Sequence, residues 1–257
     1  MFYKKIKAKD DDIFKNKLEL ANESKDIFRK NTGIIFYPIL GALLSISTFV
    51  FLIMISKGSG AVVLALLIWY LLLNILIVFF NTATVACTKI ALNGKKPKFS
   101  DGIREAFKRT NMVINWALFN SVLGIFMNFL AEIKATKGYK YTGEIVWSFV
   151  SYFILPIMVF ENKDVKSAID ESQKLIKKNW GRNISGEYKI SFISMVPFLI
   201  VLLVLIFSSV LKDEYVTYGL FIFTIFILII GFLMNFSLRS IFYTALYMNV
   251  KGKVKKQ

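Results

Sequence analysis

Six long apolar runs dominate this chain and constrain its fold more than any other feature. Most approach the ~20 residues that an α-helix needs to cross a bilayer, and basic segments separate them. The chain is 56% hydrophobic, and a soluble domain would not gather its apolar residues in such runs. The sequence therefore predicts an all-α integral membrane protein, a single transmembrane domain over residues 1–257. The predicted spans are 34–55, 61–80, 112–130, 145–160, 190–211 and 218–238.

The basic segments before the first, third and fifth spans have the apolar spacing of amphipathic helices. This pattern predicts six transmembrane helices in three hairpins, each hairpin preceded by a cytoplasmic amphipathic helix on the membrane surface. The segments ESKDIFRKNTG (23–33) and ESQKLIKKNWG (171–181) share five of eleven residues. Either a threefold repeat or the similar composition of basic interfacial helices accounts for this similarity. Trp180 and Gly181 are predicted to end the last of these helices at the interface.

The positive charge is distributed unevenly and predicts the topology. Of the 33 Lys and Arg residues, 28 lie in residues 1–33, 89–110, 161–189 and 239–257. The remaining five lie in the loops between these segments. Because basic loops stay in the cytoplasm, both basic tails are expected in the cytoplasm. The protein itself is expected in the plasma membrane. The net charge of +16 then indicates anionic lipid at the cytoplasmic face as a partner, rather than nucleic acid. Spans two and six are predicted to continue as helix to Ile90 and Val250.

Polar residues recur on single faces of the predicted spans. Asn74 and Asn81 lie seven residues apart on span two, and Asn235 and Arg239 lie four apart on span six. Tyr243 and Tyr247 extend that second stripe, and Asn120 and Asn128 form another on span three. Such side chains either hydrogen-bond between helices or line a pathway. A pathway requires the stripes to converge.

Glu161 and Arg239 lie at the same end of spans four and six. Charged groups at membrane depth are costly, so they pair or reach the interface. One interpretation is a fixed ion pair, or a charged gate, between the two spans. The other is that Arg239 reaches the interface alone and Glu161 is solvated.

The residue inventory offers little catalytic chemistry. The chain has no His and one Cys, Cys87, whose small neighbours indicate a packing role. Nothing in the sequence resembles a phosphate-binding glycine loop, a nucleophile elbow or a metal-ligand cluster. The sequence therefore predicts no catalytic residue, cofactor site or metal site, which favours a non-enzymatic role.

Several segments also carry a resemblance to known proteins. They are FFNTATVA (79–86), FSDGIREAFKR (99–109), NWAL (115–118), WSFVSYFILPIMVFE (147–161) and AIDESQKLIKKNWG (168–181). Together they resemble an uncharacterised family of prokaryotic six-span membrane proteins, a domain of unknown function. More distantly, the layout is similar to membrane domains fused to glycerophosphodiesterases. The resemblance implies the six-span fold, and it adds no information on activity. The positions that match the family pattern are Asn81, Trp147, Pro156, Glu161, Trp180 and Gly181.

Two functions fit these observations. The first is a non-enzymatic accessory component that docks a membrane-protein partner or a second copy of the chain. The alternative is a small transporter or permease-like protein for an unidentified solute. The candidate structural or pathway residues are Asn74, Asn81, Glu161, Asn235 and Arg239.

Overall fold

The protein is helical throughout the part that the structure describes. This computed structural model describes residues 22–132, 150–177 and 214–251, together with residues 199, 201 and 204. Helices fill nearly all of these ranges, and no strand occurs within them. The prediction of an all-α fold is confirmed.

The helices are named here in chain order. They are α1 (22–30), α2 (Phe36–Ile55), α3 (Ser59–Leu92), α4 (Phe99–Lys108), α5 (Thr110–Glu132), α6 (Val150–Glu161), α7 (165–177) and α8 (Glu214–Val250). A 3-10 turn, Thr32–Ile35, joins α1 to α2. Gly58 makes the tight turn between α2 and α3 with a φ of 83°, a backbone conformation that favours glycine.

Three helices among the described residues are long and apolar enough to cross a membrane. They are Thr32–Ile55, Ser59–Leu92 and Ile222–Val250, and they coincide with the predicted first, second and sixth spans. The predicted third span falls on α5, whose apolar stretch Thr110–Phe126 is shorter than these. The predicted fifth span, 190–211, lies outside the described residues apart from three positions.

The helices α3 and α8 are much longer than a membrane is thick. Their 34 and 37 residues correspond to about 51 Å and 56 Å of helix, against ~30 Å of hydrocarbon. Leu64 and Phe226 are exposed in their first parts, whereas Ala83 and Ala245 are fully buried further on. Both helices therefore continue into a protein-covered region, here called the packed end (residues 78–108, 150–177 and 239–250). The predicted helical extensions to Ile90 and Val250 are confirmed.

The described part of the predicted fourth span is α6, which is shorter than the three long apolar helices. Val150 and the run from Phe153 to Val159 are buried. They form one cluster with residues of α3, α5, α7 and α8. Since these helices surround α6, its uniformly apolar sequence matches its burial within the helical bundle.

The three amphipathic segments form helices, and each buries part of one face against protein. On α7 the buried positions are Ala168, Ser172 and Ile176, spaced by four residues. The Ser172 hydroxyl donates to the carbonyl of Val150 at 2.6 Å, so α7 is fastened to the start of α6. On α1 the buried apolar residues include Ile27. The predicted helical periodicity is confirmed. The buried faces of these helices are covered largely by other residues of the packed end.

The buried side chains form two clusters on two sides of α3. The larger cluster joins α3 to α5, α6, α7 and α8, and the smaller one joins α3 to α1, α2, α4 and Ile241 of α8. The small residues of the run NTATVACT, among them Ala83, Ala86 and Cys87, let neighbouring helices approach closely on both sides. The packing role predicted for Cys87 agrees with its burial in the smaller cluster.

Helix α4 meets α2 and α3 through a glycine. A Cβ added at Gly102 would lie 2.2 Å from the Tyr37 hydroxyl and 2.8 Å from the carbonyl oxygen of Ala83. The same hydroxyl donates to the carbonyl of Phe99 at 2.8 Å and lies 3.0 Å from the Cys87 sulfur. The buried residues of α4 are thus Gly102 and Ala106, whereas Phe107 is exposed.

Candidate functional site

A cavity of about 220 Å³ lies where the apolar spans enter the packed end. It opens between α3, α5, α6 and α8, and it is called the central cavity here. Polar and apolar side chains both line it. Its lining residues are Ile77, Val78, Asn81, Val85, Trp116, Asn120, Ser151, Tyr152, Leu155, Pro156, Phe236, Arg239, Ser240 and Tyr243.

Asn81 and Ser240 connect α3 to α8 beside this cavity. The Ser240 hydroxyl donates to the Asn81 side-chain oxygen at 2.5 Å. Asn81 begins the run of small residues on α3, and Ser240 begins the fully protein-covered part of α8. A hydrogen bond between two helices satisfies polar groups that would be costly in lipid. Both side chains nevertheless contribute to the cavity wall.

Arg239 brings a charge to the cavity. Its guanidinium donates to the Asn235 side-chain oxygen at 3.2 Å and to the Tyr152 hydroxyl at 3.2 Å. The Tyr152 ring stacks on Tyr243 with a centroid distance of 3.9 Å and an interplanar angle of 8°. Helices α6 and α8 therefore hold the guanidinium at the cavity wall.

Glu161 makes ion pairs and a hydrogen bond at the end of α6. Glu161 ion-pairs with Lys163 at 2.9 Å and with Lys251 at 3.1 Å, and it accepts a hydrogen bond from the Tyr247 hydroxyl at 2.5 Å. The direct pair that the sequence suggested stays a prediction. Tyrosines link the two spans, Tyr152 to Arg239 and Tyr247 to Glu161.

Glu161 belongs to a larger group of charges, here called the charge cluster. The second carboxylate is Glu171 of α7, which contacts both Lys163 and Lys251. The side chains of Glu161 and Glu171 are only 16% and 15% exposed, so solvent screens this cluster less than an ordinary surface pair. It ties α6, α7 and the end of α8 together. No sequence pattern singled out Glu171, Lys163 or Lys251, because their contacts depend on how α7 packs against α6 and α8.

A further ionic contact joins α4 and α5 to α6. Arg109 pairs with Glu105 and donates to the carbonyl of Val159 at 3.1 Å. Partial burial opposes ionisation of Glu105, but hydrogen bonds from Lys108 and Arg109 outweigh it, and the pKa of the Glu105 carboxyl falls below its ordinary value of 4.5. The carboxylate form is therefore the one that supports this contact.

The remaining predicted residues have different positions. The Asn74 amide donates to the carbonyl of Tyr70 on its own helix at 2.9 Å and does not line the central cavity. Asn235 reaches the site through Arg239. Asn120, one member of a predicted polar stripe, lines the cavity. Trp180 and Gly181 lie outside the described residues.

The central cavity has binding chemistry. Amide, hydroxyl and guanidinium groups line it, which can donate and accept hydrogen bonds. In the described ranges, no group of three His, Cys, Asp or Glu residues is placed to hold a metal ion. The arrangement can therefore orient a small polar molecule by hydrogen bonds and charge.

Comparison with known proteins shows the family of the chain. The sequence model of a family of unknown function (DUF6159) matches residues 59–255, which include every helix that lines the central cavity. No curated protein matches the chain. The match agrees with the expected unknown-function family, and the more distant likeness to glycerophosphodiesterase membrane domains stays a prediction.

Proposed function

The chain belongs to the DUF6159 family, whose function is unknown, and we propose that it is a membrane protein that binds and transports a small polar solute through the central cavity. One observation carries this proposal: polar side chains of four helices, Asn81, Asn120, Tyr152 and Arg239 among them, meet at one cavity. A pathway requires the polar stripes to converge at one place. An isolated hydrogen bond between two helices does not require this.

The size of the cavity limits the solute. At about 220 Å³ it is smaller than the roughly 300–1,000 Å³ of pockets for drug-sized ligands. Among the described residues that line it, Arg239 is the charged one. The solute is therefore small and polar, and Arg239 is its main recognition group.

The membrane arrangement is part of the proposal. We place six spans in the cell membrane, in three hairpins, with both termini in the cytoplasm, because the basic residues lie in alternate loops. The charged part of the packed end, with α4, α7 and the charge cluster, then faces the cytoplasm. Since Cys87 is buried, a cysteine introduced at Lys57 or Lys95 can be labelled selectively. A membrane-impermeant maleimide on intact cells should label Lys57→Cys and leave Lys95→Cys unlabelled; the reverse pattern would invert the topology.

Solute binding can be tested with matched asparagine variants. The full chain in nanodiscs would be screened by thermal shift against small polar solutes, and each solute that binds would be tested for flux into liposomes. Asn81→Ala and Arg239→Gln should reduce binding and flux at least tenfold. Asn74→Ala should leave both unchanged, because its amide bonds within α3. Arg239→Lys keeps the charge and should restore part of the binding.

Loss of binding in Asn74→Ala equal to that in Asn81→Ala, with both variants folded, would refute a role for the cavity. Absence of any bound solute or flux, together with a stoichiometric protein partner, would favour the second candidate function. That candidate is an accessory role in which the chain docks a partner or a second copy. The exposed charged face of α7, with Lys166, Asp170 and Lys174, favours it.

A further inference from the structure

A second cavity of about 250 Å³ lies on the other side of α3 from the central cavity. It is called the basic pocket here. The chain entering α2 forms one wall, from Lys30 to Ile34, and the linker between α3 and α4 forms the other, from Lys96 to Phe99. Tyr37 and Cys87 complete its lining.

Ring stacking and hydrogen bonds hold the walls of the basic pocket. The Tyr37 ring stacks on Phe99 with a centroid distance of 4.8 Å, and its hydroxyl is held by the Phe99 carbonyl and the Cys87 sulfur. Asn31 donates its amide to the carbonyl of Ile27 at 2.9 Å, which fixes the opposite wall. A ligand would thus enter a formed recess.

The charge of the basic pocket is strongly one-sided. Lys30, Lys96 and Lys98 line it, and no carboxylate occurs among the described lining residues. All three lysines are exposed and can turn their ammonium groups toward the recess. Each lysine near an anionic surface contributes on the order of 1 kcal/mol, so a phosphate group is the natural complement.

The position of the basic pocket indicates where the phosphate comes from. The pocket adjoins the first residues of Thr32–Ile55, a helix long and apolar enough to cross a membrane, and hence lies at head-group depth. Three exposed apolar side chains on α2, Phe36, Leu43 and Val50, lead away from it at seven-residue intervals. That spacing keeps them near one face of the helix, where an acyl chain can lie.

We infer that the basic pocket binds the phosphate head group of one anionic phospholipid, whose acyl chain lies along Phe36, Leu43 and Val50 of α2. The inference does not depend on the solute proposal, because it uses a different cavity. It replaces general attraction between a basic surface and anionic lipid with one defined site.

The test is a lipid titration of the full chain. Delipidated protein in a neutral detergent would be titrated with phosphatidylglycerol or phosphatidylcholine, and bound lipid counted by native mass spectrometry. Phosphatidylglycerol should bind with one tight equivalent, and Lys96→Gln/Lys98→Gln should weaken it about 30-fold, at on the order of 1 kcal/mol for each lysine. Lys96→Arg/Lys98→Arg keeps the charges and should retain the tight equivalent.

A charge-matched control separates a site from a general surface effect. Lys166→Gln/Lys177→Gln removes two exposed charges from α7 and should leave the tight equivalent unchanged. Equal weakening in both double variants would overturn the inference. So would equally tight binding of phosphatidylcholine, or displacement of the lipid by an equal concentration of inorganic phosphate, since the acyl chain would then contribute nothing.

Discussion

The contact of Gly102 with Tyr37 provides a sharp test of how α4 is attached. In Gly102→Ala the new Cβ would lie 2.2 Å from the Tyr37 hydroxyl and 2.8 Å from the backbone oxygen of Ala83. A side chain can move away from a new atom, but the backbone of α3 yields less easily. We therefore expect α4 to shift outward and the Tyr37 hydroxyl to lose at least one of its two contacts.

The magnitude follows from opposing effects. Alanine in place of a helical glycine gains about 1 kcal/mol. Overpacking costs about 1–3 kcal/mol, and each lost hydrogen bond about 0.5–1.5 kcal/mol. Gly102→Ala should thus lower the free energy of unfolding by about 1–3 kcal/mol. At roughly 2–4 °C for each kcal/mol in a chain of this size, the thermal midpoint should fall by several degrees.

The assay is thermal unfolding of purified protein in one detergent, with Gly219→Ala of α8 as the control. A Cβ there meets nothing within 4 Å, so that variant should be neutral or slightly stabilised. Tyr37→Phe should cost less in the Gly102→Ala background than in the wild type, because the hydroxyl is already displaced. The reasoning fails if Gly102→Ala is as stable as the wild type, or if Tyr37→Phe costs the same in both backgrounds.

Three further predictions concern the packed end. Because the pKa of Glu105 is lowered on folding, its contribution to stability is present above pH 4.5 and lost as pH falls through the lower folded pKa; Glu105→Gln should flatten the acid side of the stability profile, and an unchanged profile would contradict this. Glu161→Gln keeps an acceptor for Tyr247 but removes two ion pairs, so the thermal midpoint should fall by an amount equivalent to about 1–3 kcal/mol, whereas an exposed control, Asp170→Asn, should have little effect. Ser172→Ala removes the bond to Val150 and should cost about 1 kcal/mol in denaturant titration; a stability gain would argue against that bond.

The sequence predicted helices better than it predicted their surroundings. The apolar runs located α2, α3 and α8 because run length and hydropathy are local properties. The apolar spacing of α7 was also correct, yet periodicity shows only that one face is covered and not what covers it. For that reason the burial of α7 and α6 within the packed end could not be predicted.

The candidate site was predictable in its parts and not in its assembly. Asn81 and Arg239 stood out because polar residues in apolar spans are rare. Their approach to one cavity depends on the angles between α3, α6 and α8, which a linear pattern does not contain. The charge cluster shows the same limit, because Glu171 and Lys251 are 80 residues apart in the chain. Gly102 was passed over because its role depends on the Tyr37 hydroxyl of another helix.

Helix α3 belongs to both buried clusters, and this has a thermodynamic consequence. Asn81 at the central cavity and Cys87 at the basic pocket are six residues apart, about 9 Å along the helix axis. A lipid that shifts α3 by a fraction of an ångström would therefore change the fit of a solute on its opposite side. Linkage makes such an effect reciprocal: the factor by which lipid alters solute affinity must equal the factor by which solute alters lipid affinity. The lipid composition of the membrane would then change the solute concentration at which the protein is half occupied.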